Sequence, residues 1–208
     1  MAIYTTFFLC NPSELPGGFP GWRPPLPQPV KREFKSRITG QTSIIETQVP
    51  DWNDQPSEDP EAGRYVAMKI EGSYEDYLQA RLPPFVRSQP HWCTKGLTDI
   101  ELTPLAEALG VVPAMETALY CRPSLGAVLQ QFRPDFVSKL TSLDDSAAQK
   151  TAQAWAGTMS TPKHTHTRSG KRLYPDWTAA GAIAILRPLI ALAKQSDGKS
   201  GMYVLIEP

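Results

Sequence analysis

The chain is predicted to be α+β, a mostly antiparallel sheet packed against helices, with an extended proline-rich N-terminal arm. Three observations predict it. Strand-like runs stand near both ends, at 3–9 (IYTTFFL) and 202–206 (MYVLI). Helix-period apolar stripes fill the C-terminal half. Between the first strand and the rest, residues 11–30 hold seven prolines. Strands at the ends with helices between favour an antiparallel sheet covered by helices, with the terminal strands as neighbours.

Residues 3–9 are β-branched and aromatic, the composition of a strand. In the arm, proline fixes φ and removes a donor, which argues against helix and against a central strand. Phe19 and Trp22 make the arm too apolar for a solvated linker, so it is expected to pack on the domain surface. Residues 31–36 and 41–49 flank Thr39-Gly40 and read as a hairpin. Residues 50–62 read as an acidic, turn-rich loop, 64–71 as a strand and 74–80 as a short helix. Residues 85–97 read as irregular.

Thr103-Pro104 resembles an N-cap with proline at N1, which predicts a helix over 104–109 stopped by Gly110. Residues 116–121 read as a strand. Pro134 opens a helix over 134–141, and Ser142 with Asp145 resembles a capping box for the next one. Ala148, Ala152, Trp155 and Met159 then mark one helical face. Residues 178–195 are the strongest helix. Two stripes, Ile183/Leu186/Ile190 and Ile185/Leu189/Leu192, give an apolar arc wide enough for deep burial. Pro188 lies inside it, where a kink is expected.

A length of 208 residues fits one domain over 1–208, strand-rich at 1–125, helix-rich at 126–200 and closed by a strand at 201–207. Lys+Arg and Asp+Glu are both 21, so the net charge is zero and the basic excess of a nucleic-acid binder is missing. Cys10, Cys93 and Cys121 form no C-x-x-C pair, which predicts free thiols in a reducing compartment. Met1–Leu9 lacks a basic n-region, and no run reaches 18 apolar residues; a cytoplasmic location and no membrane partner are expected.

Catalytic motifs are hard to find. There is no G-x-S-x-G elbow. His91-Trp92-Cys93 places an imidazole two residues from a thiol, and Glu101 could complete a cryptic enzyme site; proximity in sequence is not triad geometry. His164 and His166 stand among Lys163, Arg168, Lys171 and Arg172, a cationic setting that opposes a metal dication. Gly17-Gly18-Phe19-Pro20-Gly21 lacks the Gly-Lys-Ser/Thr end of a phosphate loop. Asp144-Asp145 and Glu75-Asp76 fit helix starts, where negative charge complements the dipole. No catalytic residue, metal or cofactor is therefore assigned.

What remains are surfaces. Asp51, Trp52, Asp54, Glu58, Asp59 and Glu61 set an aromatic in an acidic stretch, a pattern suited to a basic partner. A solvated loop is the plainer reading. Residues 163–172 are its basic counterpart. Pro24-x-x-Pro27 is a PPII ligand core, with the usual flanking charge misplaced.

The stretches FFLCNPSELPGGFPGWRPPLPQPVKREF (7–34), ITGQTSIIET (38–47), EGSYEDYLQARLPPFVRSQPHW (71–92) and TALYCRPS (117–124) carry a resemblance. The chain resembles an uncharacterised family of small bacterial proteins, akin to the immunity or accessory proteins of secreted toxins. The resemblance implies a protein that binds a cognate toxin and occludes its active site or substrate groove; the acidic stretch would suit a basic, nuclease-like toxin. It implies no functional residue. The alternatives are an enzyme with a cryptic site and a structural or assembly protein.

Overall fold

The computed structural model describes residues 3–19, 22, 27–35, 42–50, 82–122, 127–161 and 177–207. Its fold is α+β. The elements are β1 (Tyr4–Cys10), a 3-10 turn (Pro12–Glu14), α1 (Leu15–Gly18), β2 (Pro27–Lys35) and β3 (Thr42–Pro50). Then come α2 (Pro84–Arg87), β4 (His91–Lys95), α3 (Asp99–Leu109), β5 (Met115–Arg122) and β6 (Ala127–Phe132). The chain ends with α4 (Pro134–Ser142), α5 (Asp145–Met159), α6 (Ala179–Ala193) and β7 (Gly201–Glu207).

Five strands form one antiparallel sheet in the order β4-β1-β7-β6-β5. The terminal strands are neighbours, with Tyr4 opposite Glu207 and Cys10 opposite Gly201. β2 and β3 make a separate antiparallel ribbon, Pro27 opposite Pro50 and Lys35 opposite Thr42.

Both faces of the large sheet are covered, which is why β1 and β7 read as continuous apolar runs rather than alternating ones. On one face Phe7, Leu9, Phe132, Met202 and Val204 pack beneath α3–α6, against residues such as Leu102, Leu140, Trp155 and Leu186. Phe7 stacks between Trp92 and Phe132, at centroid distances of 5.4 and 5.9 Å. On the other face Phe8, Cys10, Leu129, Tyr203 and Leu205 meet Leu15, Phe19, Leu82 and Val86.

That second layer corrects the reading of the arm. Residues 12–18 are helical, not extended: Asn11 Oδ1 accepts from the Ser13 N–H, and Pro12 and Pro16 occupy opening positions, where their missing N–H has no intrahelical partner to lose. The packing role stands, since Phe19 lies edge-on to both Trp22 and Phe85. Pro27 and Pro29 fall within β2, whose one strand partner among the described residues is β3, as an edge position allows.

Helix starts also moved. α3 begins at Asp99 behind a Thr98 cap, whose box partner is Glu101. Pro104 is therefore inside the helix, where it supplies no N–H to the carbonyl of Ile100, an exposed residue. Gly110 ends it at φ 71°, as expected. The cap of α5 is Asp144, not Ser142: its side chain accepts from the Ala147 N–H. Residues 85–97 are not irregular, for they contain part of α2 and all of β4. The readings at 64–71, at 74–80, of the Thr39-Gly40 turn, of the loop at 50–62 beyond Pro50 and of the basic stretch 163–172 lie outside the described residues.

Candidate functional site

The cryptic-site residues are described, and they do not converge. Strand alternation puts His91 and Cys93 on the face of β4 that carries Phe8, since their cross-strand partners are Phe8 and Thr6. Cys93 Sγ lies 3.4 Å from Thr6 Oγ1. Burial pushes the Cys93 thiol up, the Thr6 hydrogen bond opposes this, and the Glu207 carboxylate adds to the rise. His91 Nδ1 donates to the Gln89 carbonyl at 2.8 Å.

Glu101 belongs to α3, on the opposite, helix-covered side. Its Oε2 accepts from the Thr98 N–H at 2.7 Å and from the Thr98 hydroxyl at 2.6 Å, closing the capping box. Its backbone carbonyl accepts from Trp155 Nε1 at 2.8 Å. A buried acid that looked available for chemistry thus holds a helix start and ties it to α5.

The partner-binding candidates Asp51, Trp52, Asp54, Glu58, Asp59 and Glu61 lie outside the described residues, as do His164, His166 and the basic stretch 163–172. Among the described residues no group of three His, Cys, Asp or Glu could hold a metal ion. Among them, too, no helix is long and apolar enough to cross a membrane.

One concave feature was not foreseen. A shallow cavity of about 350 Å³ opens where β1 ends and β7 begins, lined by Leu9, Cys10, Glu14, Pro90, Asp197 and Lys199 among others. Asp197 shapes its rim. Its Oδ1 accepts from the N–H groups of Lys199 (2.9 Å) and Ser200 (2.8 Å). Those bonds, Ser200 first, hold its carboxyl below the usual carboxylate range, so it is ionised at neutral pH. Burial pushes the Cys10 thiol up to about 12, helped by the Glu14 carboxylate.

Tyr203 shares a buried cluster with Cys10; it is fully buried, and its hydroxyl has no hydrogen-bond partner among the described residues. A Cβ built on Gly201 would meet Tyr203 Oη at 2.6 Å, so the phenol lies over Gly201. Gly201 follows Ser200, which lines the cavity, and pairs with Cys10, which lines it too. Burial, then the neighbouring Cys10 and Tyr120, push the phenol up to about 12. No single stretch of sequence signals this place, because its lining comes from 9–14, 89–90 and 195–200.

Comparison of the chain with protein-family models, with curated proteins and with solved structures finds no match. The resemblance drawn from the quoted stretches therefore rests on those stretches alone.

Proposed function

We propose that this is an immunity-type binding protein, which neutralises a cognate bacterial toxin by covering its active site or substrate groove. The observation that carries the proposal is the β2–β3 ribbon. It pairs within itself and is not part of the five-stranded sheet. A two-stranded ribbon gains little stability alone, and among the described residues no other strand pairs with its outer edges, the kind of edge a partner can extend. The chain leaves this ribbon at Pro50 directly into Asp51, Trp52, Asp54, Glu58, Asp59 and Glu61.

Acidic residues beside an aromatic suit a basic toxin, such as a nuclease, and charge complementarity would speed the encounter. The uses found for Glu101 and Cys93, a helix cap and a buried hydroxyl contact, also favour binding over chemistry at that place. Affinity capture with the product of the adjacent gene tests the proposal. The expected result is a stable one-to-one complex. Recovery of the chain alone, with no rescue of cells from that gene product, would sink it.

A further inference from the structure

We infer that the outer edge of β3 receives an extended segment of the protein partner as an added strand, one in which an apolar residue and a lysine or arginine stand two positions apart. This rests on the proposed binding function and deepens it, by naming the edge used and the chemistry of what that edge takes.

Four strand edges have no strand neighbour among the described residues: those of β4 and β5 in the large sheet, and those of β2 and β3 in the ribbon. An open edge invites other strands, and native proteins blunt it with short strands, irregular pairing, lysine and proline. Three of the four edges carry such devices. β4 has five residues, with His91 and Lys95 at its ends. β5 shifts register twice against β6. β2 holds Pro27 and Pro29, then Lys31, Arg32 and Lys35. β3 lacks them. It runs for nine residues in unbroken register, rich in β-branched residues, with no lysine or arginine and no proline before Pro50.

The register shows which of its backbone groups face outward. In an antiparallel pair, alternate residue pairs turn both N–H and C=O toward the neighbouring strand or away from it. Pro27 lies opposite Pro50 and Pro29 opposite Gln48, so all three prolines fall in one alternate set. Proline lacks the N–H that a ladder uses, so in a strand that position is turned outward. The set on β3 also contains Thr42, Ile44, Glu46 and Gln48. Those four residues offer N–H and C=O groups to an added strand. The same set on β2 begins with two prolines, which offer no N–H.

Charge selects the occupant. The one ionisable residue of β3 is Glu46, and the chain continues into Asp51, Asp54, Glu58, Asp59 and Glu61. A basic residue opposite Glu46 is favourable and an acidic one is not, while Ile44, two positions away, favours an apolar neighbour. A second copy of β3 has no cation to offer.

The test is amide hydrogen exchange by NMR on the full chain, free and bound to the product of the adjacent gene. The amides of Ile44, Glu46 and Gln48 should exchange freely in the free chain and at least about tenfold more slowly in the complex. Glu46→Pro deletes one outward N–H and should weaken the complex about tenfold. Lys31→Pro deletes the matching N–H on β2 and should leave affinity unchanged. Glu46→Lys keeps the backbone intact and should weaken binding about fivefold at low salt, so the inference stays testable if a proline disturbs the ribbon. Protection of the three amides in the free chain would show the edge already taken, by another part of this chain or by a second copy, and would overturn the inference. A complex that leaves them unprotected, equal losses in the two proline variants, or full affinity in Glu46→Pro or Glu46→Lys would overturn it too and leave the binding function standing. No complex at all would overturn the binding function, and the assigned occupant with it.

Discussion

Replacing Tyr203 by Phe should stabilise the protein, against the usual direction of core substitutions. The ring is fully buried and stacks on Phe8 at a centroid distance of 5.5 Å. Phe keeps that contact and the cover over Gly201. Only the hydroxyl is removed, and it has no hydrogen-bond partner among the described residues. Burying an unpaired hydroxyl costs about 1–3 kcal/mol relative to pairing it with water. A gain of about 1 kcal/mol is therefore expected in urea unfolding, with an unchanged slope, and a rise in Tm of about 2–4 °C.

The pH dependence sharpens the test. The phenol is pushed from its ordinary 10.0 up to about 12. A raised value means that the folded state holds the proton more tightly. The associated stability is complete below pH 10 and is lost as pH rises through about 12. Tyr203→Phe removes that loss, so its advantage should widen by up to roughly 2 kcal/mol above pH 10. A destabilised Phe variant at neutral pH, or an advantage that shrinks in alkali, would refute the reasoning that the hydroxyl is buried and unpaired.

Three further outcomes are expected. Glu101→Ala removes the capping box at Thr98 and should cost about 1–2 kcal/mol in urea unfolding, with Glu101→Gln costing less because it keeps an acceptor; equal losses would show that the cap is not what Glu101 supplies. In a Cys121→Ala background, Cys10 and Cys93 should react slowly with a disulfide reagent at pH 8, since burial raises both thiols; free-thiol rates in the folded protein would contradict this. Reversing charge at Asp54, Glu58 and Asp59 should slow association with the partner at low salt while changing dissociation little, and stopped-flow traces that match the parent would remove this stretch from the interface.

Much of the fold was legible where composition and period agree. β1 and β7 are apolar runs, and α6 carries two stripes, of which Leu186, Leu189, Ile190 and Leu192 are buried. Ala148, Ala152, Trp155 and Met159 form the buried face of α5, as their spacing predicts. The errors have local causes. Thr103-Pro104 mimics a helix start, and the true signal was Thr98 with Glu101 three residues on. β4 is a five-residue edge strand of mixed residues, with no clear alternation to reveal it. Proline and glycine hid the helical turns at 12–18, because those residues also suit loops. The cavity was invisible for another reason. It exists only when the register places Cys10 beside Gly201 and brings three distant segments together.

The binding account is tested most directly by co-expressing the chain with the product of the adjacent gene and measuring the mass of the purified species in solution. The account predicts a complex of one chain with one partner, held at nanomolar protein concentration, in which the partner's activity is silent. A chain that elutes alone beside a fully active partner would contradict it.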